Sequence, residues 1–343
     1  MDISGNEKRR AEKTVSHRKT TVPDNRRRFA RNTIEPCTTF AVVVLLFSTA
    51  ARAADAPQTV WLASTRSAAV CDDPDSHIRY RRLEEDGEWS SADARDFFAT
   101  DDAAVPTIVF IHGNRTDAAW AVTKAWCVYQ SIQCMANDKP FRFVIWSWPA
   151  DRVYRRNRDD VRLKAVRCDT ESFHLAVWLN RLQPEVKVSL IGHSFGPRII
   201  TGAMHLLAGG RIAGQTLPDD VAAAWNAGRN TVRAVLLAAA LDEDWLAPGC
   251  RNGLAPSLFS RVLITRNGCD RVLRRYPRLY GRGGPEAMGF VGPCGINDSS
   301  KIELIDVSAT VGRLHDWRCY CSASNVCSRW AFYTFLDDSA VQP

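Results

Sequence analysis

Apolar residues occur along the chain in short runs that end on Gly, His or Pro, separated by longer stretches of three- and four-residue spacing. Thr107-Ile108-Val109-Phe110-Ile111 runs into His112-Gly113-Asn114, the run at 141–146 into Ser147-Trp148-Pro149, and the run at 186–191 into Gly192. Three more lie at 232–239, 261–265 and 302–307. Runs that are apolar at nearly every position suit strands covered on both faces, as in a parallel sheet. Upstream, 60–65 predicts an edge strand, and 77–82 followed by Asp86-Gly87 and Trp89 predicts a hairpin.

Between the runs the period changes. Residues 160–182 place Val161, Ala165, Phe173, Val177 and Leu182 at helical spacing, and 196–207 follows the third run directly. Strand–helix alternation of this kind predicts an α/β fold, a mostly parallel, doubly wound sheet with helices on both faces. There is no internal repeat and no low-complexity tract. Residues 208–230, rich in Gly, Ala and Asp, break the pattern and read either as a lid over a site or as a surface insertion. Trp146 and Trp148 are candidates for an acyl or sugar pocket and equally for the core.

Charge alters this picture at one end only. Of the formal net charge of +7, residues 1–36 supply +5 and Arg52 one more, so the body from Ala54 onward carries +1. A nucleic-acid partner therefore has no basic surface to account for in the body. Behind the basic segment come Phe40-Ala41-Val42-Val43-Val44-Leu45-Leu46-Phe47 and Ala51-Arg52-Ala53. A charged start, a short apolar core and an A-x-A site predict a signal peptide over 1–54 and export of a single domain, 55–343. The apolar run is far short of the ~20 residues of a spanning helix, so membrane association requires an uncleaved leader. Ten cysteines follow the leader, an even number that suits disulfides in an oxidising compartment. Cys319-x-Cys321-x5-Cys327 beside His315, in the cysteine-rich tail 315–343, matches no common zinc spacing. No metal and no cofactor is expected.

Gly192-His193-Ser194-Phe195-Gly196 is a G-x-S-x-G motif lying between a strand-like and a helix-like segment, the setting of a nucleophile elbow. Small flanking residues let strand and helix approach, and the first amides of the helix, Phe195 among them, point at a developing oxyanion. A serine needs a base, and with such an elbow the order is Ser, acid, His. Only His205 and His315 follow Ser194. His205 is eleven residues along the same helix, on the order of 16 Å away, so His315 is the expected base. Asp270, after the run 261–265, is the favoured acid, with Asp242 the alternative. The loop His112-Gly113-Asn114 supplies a second oxyanion amide from Asn114 or Arg115. His112 is expected to bond loop backbone, and His193 to pack the elbow.

In these pieces the chain resembles a group of bacterial α/β-hydrolases of uncharacterised function, related to esterases and lipases. The matching segments are Leu62-Ala63-Ser64-Thr65-Arg66, Phe110-Ile111-His112-Gly113-Asn114, Trp146-Ser147-Trp148-Pro149, the elbow, Thr265-Arg266-Asn267-Gly268-Cys269-Asp270-Arg271-Val272-Leu273, and His315. They run from about Val60 to Asp316. The resemblance implies an α/β-hydrolase fold and the triad Ser194, Asp270 and His315. Cys269 and the tail after His315 depart from the pattern, and a bridged Cys269 would staple the acid loop. The expected activity is hydrolysis of a small ester or acyl substrate through an acyl-enzyme. The alternatives are amide or thioester cleavage by the same triad, and a non-catalytic envelope protein that binds a ligand on the same fold.

Overall fold

The apolar runs become the central strands of one nine-stranded sheet. The structure is a computed structural model that describes residues 59–67, 77–281, 283–296 and 300–337, all within a single unit. The leader and Cys71 lie outside the described residues. The strands are β1 (Thr59–Ser64), β2 (Arg79–Leu83), β3 (Trp89–Ala92), β4 (Thr107–Ile111), β5 (Arg142–Ser147), β6 (Val188–His193), β7 (Val232–Leu237), β8 (Phe259–Arg266) and β9 (Ile302–Asp306). The helices before β7 are α1 (Ala94–Phe98), α2 (Ala118–Gln133), α3 (Asn157–Arg181), α4 (Gly196–Leu207) and α5 (Asp219–Asn226). Short ones follow: α6 (Ala255–Leu258), α7 (Met288–Val291), α8 (Ser308–Val311), α9 (Trp317–Cys321), α10 (Ser324–Cys327) and α11 (Trp330–Tyr333).

The strand order is β3-β2-β1-β5-β4-β6-β7-β8-β9. Every pairing from β1 through β9 along that order is parallel, and only the β1–β2 and β2–β3 pairs are antiparallel. Every residue of β4, β5 and β6 is buried. Alternate residues of a strand point to opposite faces, so helices must cover both. One group is built on α2, which touches α9 and α11, and the other on α3 and α4. The strand at 60–65 is not an edge strand. β1 is flanked by β5 on one side and β2 on the other, and the hairpin takes the edge.

α4 lies wholly buried against the sheet. Each of its fully buried Ile and Leu side chains contributes roughly 1.5–3 kcal/mol. It also crosses α3 closely: a Cβ on Gly202 would sit 2.2 Å from Ser172 Oγ. α3 carries Asp159 and Asp160 in its first turn and Arg181 in its last, complementing the helix dipole at both ends.

Residues 208–230 join the end of α4 to the start of β7. They hold α5, which docks through buried Ala222 and Trp225, with Trp225 Nε1 donating to Asn180 Oδ1 at 3.0 Å. Glu185 N–H bonds Arg229 C=O and Val188 N–H bonds Thr231 C=O, so the segment sits by the first residues of β6. Ser194 follows the last residue of β6, so 208–230 belongs to the opposite end of the strands and is no lid over Ser194. Trp146 and Trp148 are fully buried core residues. Among the described residues no helix is long and apolar enough to cross a membrane.

Candidate active site

The turn between β6 and α4 holds Ser194 at φ +58°, a left-handed backbone that costs a non-glycine residue about 1–2 kcal/mol. Two main-chain bonds fix it there. Ser194 N–H donates to Leu237 C=O at 2.9 Å, and Ala240 N–H donates to Ser194 C=O at 3.0 Å. The flanking glycines are required by contact with backbone. A Cβ on Gly192 would lie 2.7 Å from Pro197 N, and one on Gly196 only 2.3 Å from Ile111 O. Because its own N–H is spent, Ser194 cannot serve as an oxyanion donor, and the next amide, that of Phe195 at the N-cap of α4, is the candidate.

The loop after β4 packs directly against Ser194, since a Cβ on Gly113 would sit 2.8 Å from Ser194 Cβ. Arg115 N–H is committed to Ala150 C=O at 2.9 Å and to Asn114 Oδ1 at 2.8 Å. Of the two loop amides considered, Asn114 is therefore the candidate. His112 holds this loop in shape. Its Nδ1 bonds Gly113 C=O at 2.9 Å, and its Nε2 accepts from Trp148 N–H at 3.2 Å, while Trp148 Nε1–H donates to His112 C=O at 2.7 Å. This pattern needs a neutral ring with the proton on Nδ1, and burial pushes the pKa down to about 3. Arg66 ties the same loop to β5, donating to Ser147 Oγ at 2.8 Å and Thr116 C=O at 2.9 Å.

The expected base and acid converge on Ser194. His315 Nε2 lies 2.9 Å from Ser194 Oγ, and His315 Nδ1 lies 2.7 Å from Asp270 Oδ2. Asp270 is fully buried and Ser194 8% exposed, so the group is screened from bulk water. The Asp270 carboxylate is saturated. Oδ1 accepts from Val272 N–H at 2.8 Å and Leu273 N–H at 3.0 Å, and Oδ2 accepts from Tyr320 OH at 2.7 Å as well as from His315. Burial alone would raise its pKa. The His315 bond and charge, then Tyr320 and the Leu273 amide, outweigh that and hold the carboxyl below its ordinary value.

Asn267 locks the acid loop to the histidine loop. Its Nδ2 donates to Gly312 C=O at 2.9 Å and to Tyr320 OH at 3.0 Å, and its Oδ1 accepts from Cys269 N–H at 3.0 Å. Tyr320 and the locking role of Asn267 are the contributions that the sequence reading misses. No motif spacing marks Tyr320, which sits on α9 beyond the last strand. Asp242 faces elsewhere and accepts from Tyr276 OH at 2.6 Å. His205 lies at the far end of α4 against Leu254 N–H. His193 packs the elbow as expected, its ring 5.2 Å from that of His315, with both ring nitrogens buried and unpartnered. Burial first, then the neighbouring His315, drives its pKa well below the ordinary value.

The nine described cysteines are unbridged, and Cys269 is exposed beside the acid loop. Among the described residues no group of three or more His, Cys, Asp or Glu side chains forms a metal site. No family model, curated protein or solved structure matches the chain.

Proposed function

We propose that this protein is a serine hydrolase of the α/β-hydrolase fold that cleaves carboxylic esters through an acyl-enzyme on Ser194. The observation that carries the reading is the continuous line Asp270 Oδ2–His315–Ser194 Oγ, at 2.7 and 2.9 Å, ending on a serine with positive φ. Three residues from separate loops in this order are what nucleophile activation requires. The motif resemblance supports the same fold and triad.

In the acylation step His315 Nε2 takes the Ser194 proton as Oγ bonds to the ester carbonyl carbon. The carbonyl π electrons move onto oxygen, where the Phe195 and Asn114 N–H groups receive the charge. As the carbonyl re-forms, the alkoxide leaves and takes the proton from His315. Water then attacks the acyl group with His315 as base, and the carboxylic acid departs as Ser194 regains its hydrogen. Asp270 stays ionised throughout, keeps the His315 proton on Nδ1 in the resting state and stabilises the imidazolium. We further propose that the chain is exported behind its N-terminal leader.

A fluorophosphonate probe tests the core of this reading. The expected result is one adduct on Ser194 in the wild type and none in Ser194→Ala, with p-nitrophenyl ester turnover lost in parallel. A wild type that does not label, or labels equally after Ser194→Ala, rules the mechanism out.

A further inference from the structure

Behind the elbow, on the side of α4 that faces α3, lies an open cleft of about 760 Å³. None of the triad residues lines it. Its floor is Arg198, two residues beyond Gly196, 5% exposed. A buried guanidinium is costly unless a carboxylate or equivalent hydrogen bonds compensate it. Among the described residues Arg198 has no ion pair. One terminal nitrogen donates to Ala240 C=O at 3.2 Å and to Tyr276 OH at 2.8 Å, and its Nε is buried with no acceptor. Asp242, which also lines the cleft, reaches Arg198 only through the Tyr276 hydroxyl, which donates to it at 2.6 Å. The guanidinium carbon also lies 4.3 Å from the centre of the Trp245 ring and 5.3 Å from that of Phe195.

The rim adds a second unmatched cation. Arg162 donates to Leu279 C=O and has no carboxylate among the described residues, whereas Arg251 is paired with Asp169, one terminal nitrogen lying 2.7 Å from each oxygen. Beside Arg162 the cleft wall is apolar, formed by Ala165 and the 66%-exposed Val166. Asp244, also at the rim, opposes a second negative charge.

We propose that this cleft is a binding site for a small monocarboxylic acid, whose carboxylate meets Arg198 and whose apolar tail lies along Ala165 and Val166. A buried Nε without an acceptor, a second guanidinium bonded to main chain but to no carboxylate, and an apolar wall together describe a receptor for an amphiphilic anion. Asp244 selects a single charge over a phosphate dianion. The site is separate from Ser194, and the inference does not rest on the hydrolase reading.

Isothermal calorimetry with hexanoate, and with hexanamide as its neutral counterpart, tests the proposal on the full chain. Hexanoate is expected to bind and hexanamide not. Arg198→Met is expected to weaken hexanoate about ten-fold or more, the loss typical of a charge-assisted contact. Val166→Glu, an exposed change that puts a negative charge at the mouth without touching the core, is expected to do the same. Ser194→Ala should leave hexanoate affinity unchanged. The proposal is overturned if hexanoate does not bind, if acid and amide bind alike, if Val166→Glu binds hexanoate as the wild type does, or if Ser194→Ala abolishes binding. Fluorophosphonate labelling is scored separately, so failure of one reading is not failure of the other.

Discussion

Ser194 is fixed by main chain. Its position follows from two backbone hydrogen bonds, from glycines that touch backbone atoms, and from a turn of two residues between one strand and one helix. His315 is fixed by side chains drawn from distant parts of the sequence. Asp270 lies 45 residues before it, while Asn267 and Tyr320 bridge the two loops. Backbone restraints are rigid and fail by steric clash, whereas a polar side-chain network fails by losing a donor or a charge. The two halves of the site should therefore respond to different perturbations in different ways.

The largest expected effect falls on the side-chain half. In Asp270→Asn the amide oxygen still accepts from Val272 and Leu273, but an NH₂ group faces His315 Nδ1 and favours the wrong tautomer. Turnover of a p-nitrophenyl ester is expected to fall roughly 10³–10⁴-fold with the thermal midpoint little changed. A loss below ten-fold would remove Asp270 from its role. Gly196→Ala probes the other half. A methyl 2.3 Å from Ile111 O forces strand β4 and helix α4 apart, at a cost of about 3 kcal/mol in denaturant unfolding. An unchanged midpoint would show the elbow to be softer than its contacts indicate.

Acid separates the halves by charge. His112 and His193 are both held neutral, with pKa values below the ordinary 6.5. The unfolded chain therefore binds more protons than the folded one as pH falls through that value, and stability is lost progressively below it, for His112 down to about pH 3. Each ring contributes up to about 1.4 kcal/mol per pH unit, or roughly 2 kcal/mol between pH 6.5 and 5. Urea unfolding at these two pH values should show this loss, and His193→Gln should remove about half of it. Parallel curves for the variant and wild type would contradict the assignment.

The smallest expected effect is the most specific. Tyr320→Phe removes one of the two donors on Asp270 Oδ2 and leaves that oxygen more basic toward His315. Turnover should drop roughly ten-fold, and the acid limb of the pH–rate profile should move to higher pH. A loss of rate with an unmoved profile would make Tyr320 merely a packing residue.

The same contrast explains what the sequence revealed. β4, β6 and α4 were legible because their signals are local: every position of the run is apolar, and the glycines stand where strand meets helix. Ser194 and Gly196 could be read from five consecutive residues. His315 was reached by elimination among seven histidines, and Asp270 by its place after β8. Tyr320 and Asn267 gave no periodic signal, because their roles exist only once loops 45 to 53 residues apart are brought together. β1 was misjudged as an edge because strand neighbours are set by long-range pairing, which local alternation does not encode. The choice between lid and surface insertion for 208–230 was open for a similar reason, since composition does not say at which end of a sheet a connection returns.

One consequence concerns timing during synthesis. His315 and Tyr320 both come after Asp306, the last residue of the last strand. A chain growing from its N-terminus thus has the complete sheet, the turn at Ser194 and the Asp270 loop translated before His315 emerges. On the proposed mechanism the nascent hydrolase is born inert, and its serine becomes reactive only once the scaffold that disciplines it has left the ribosome.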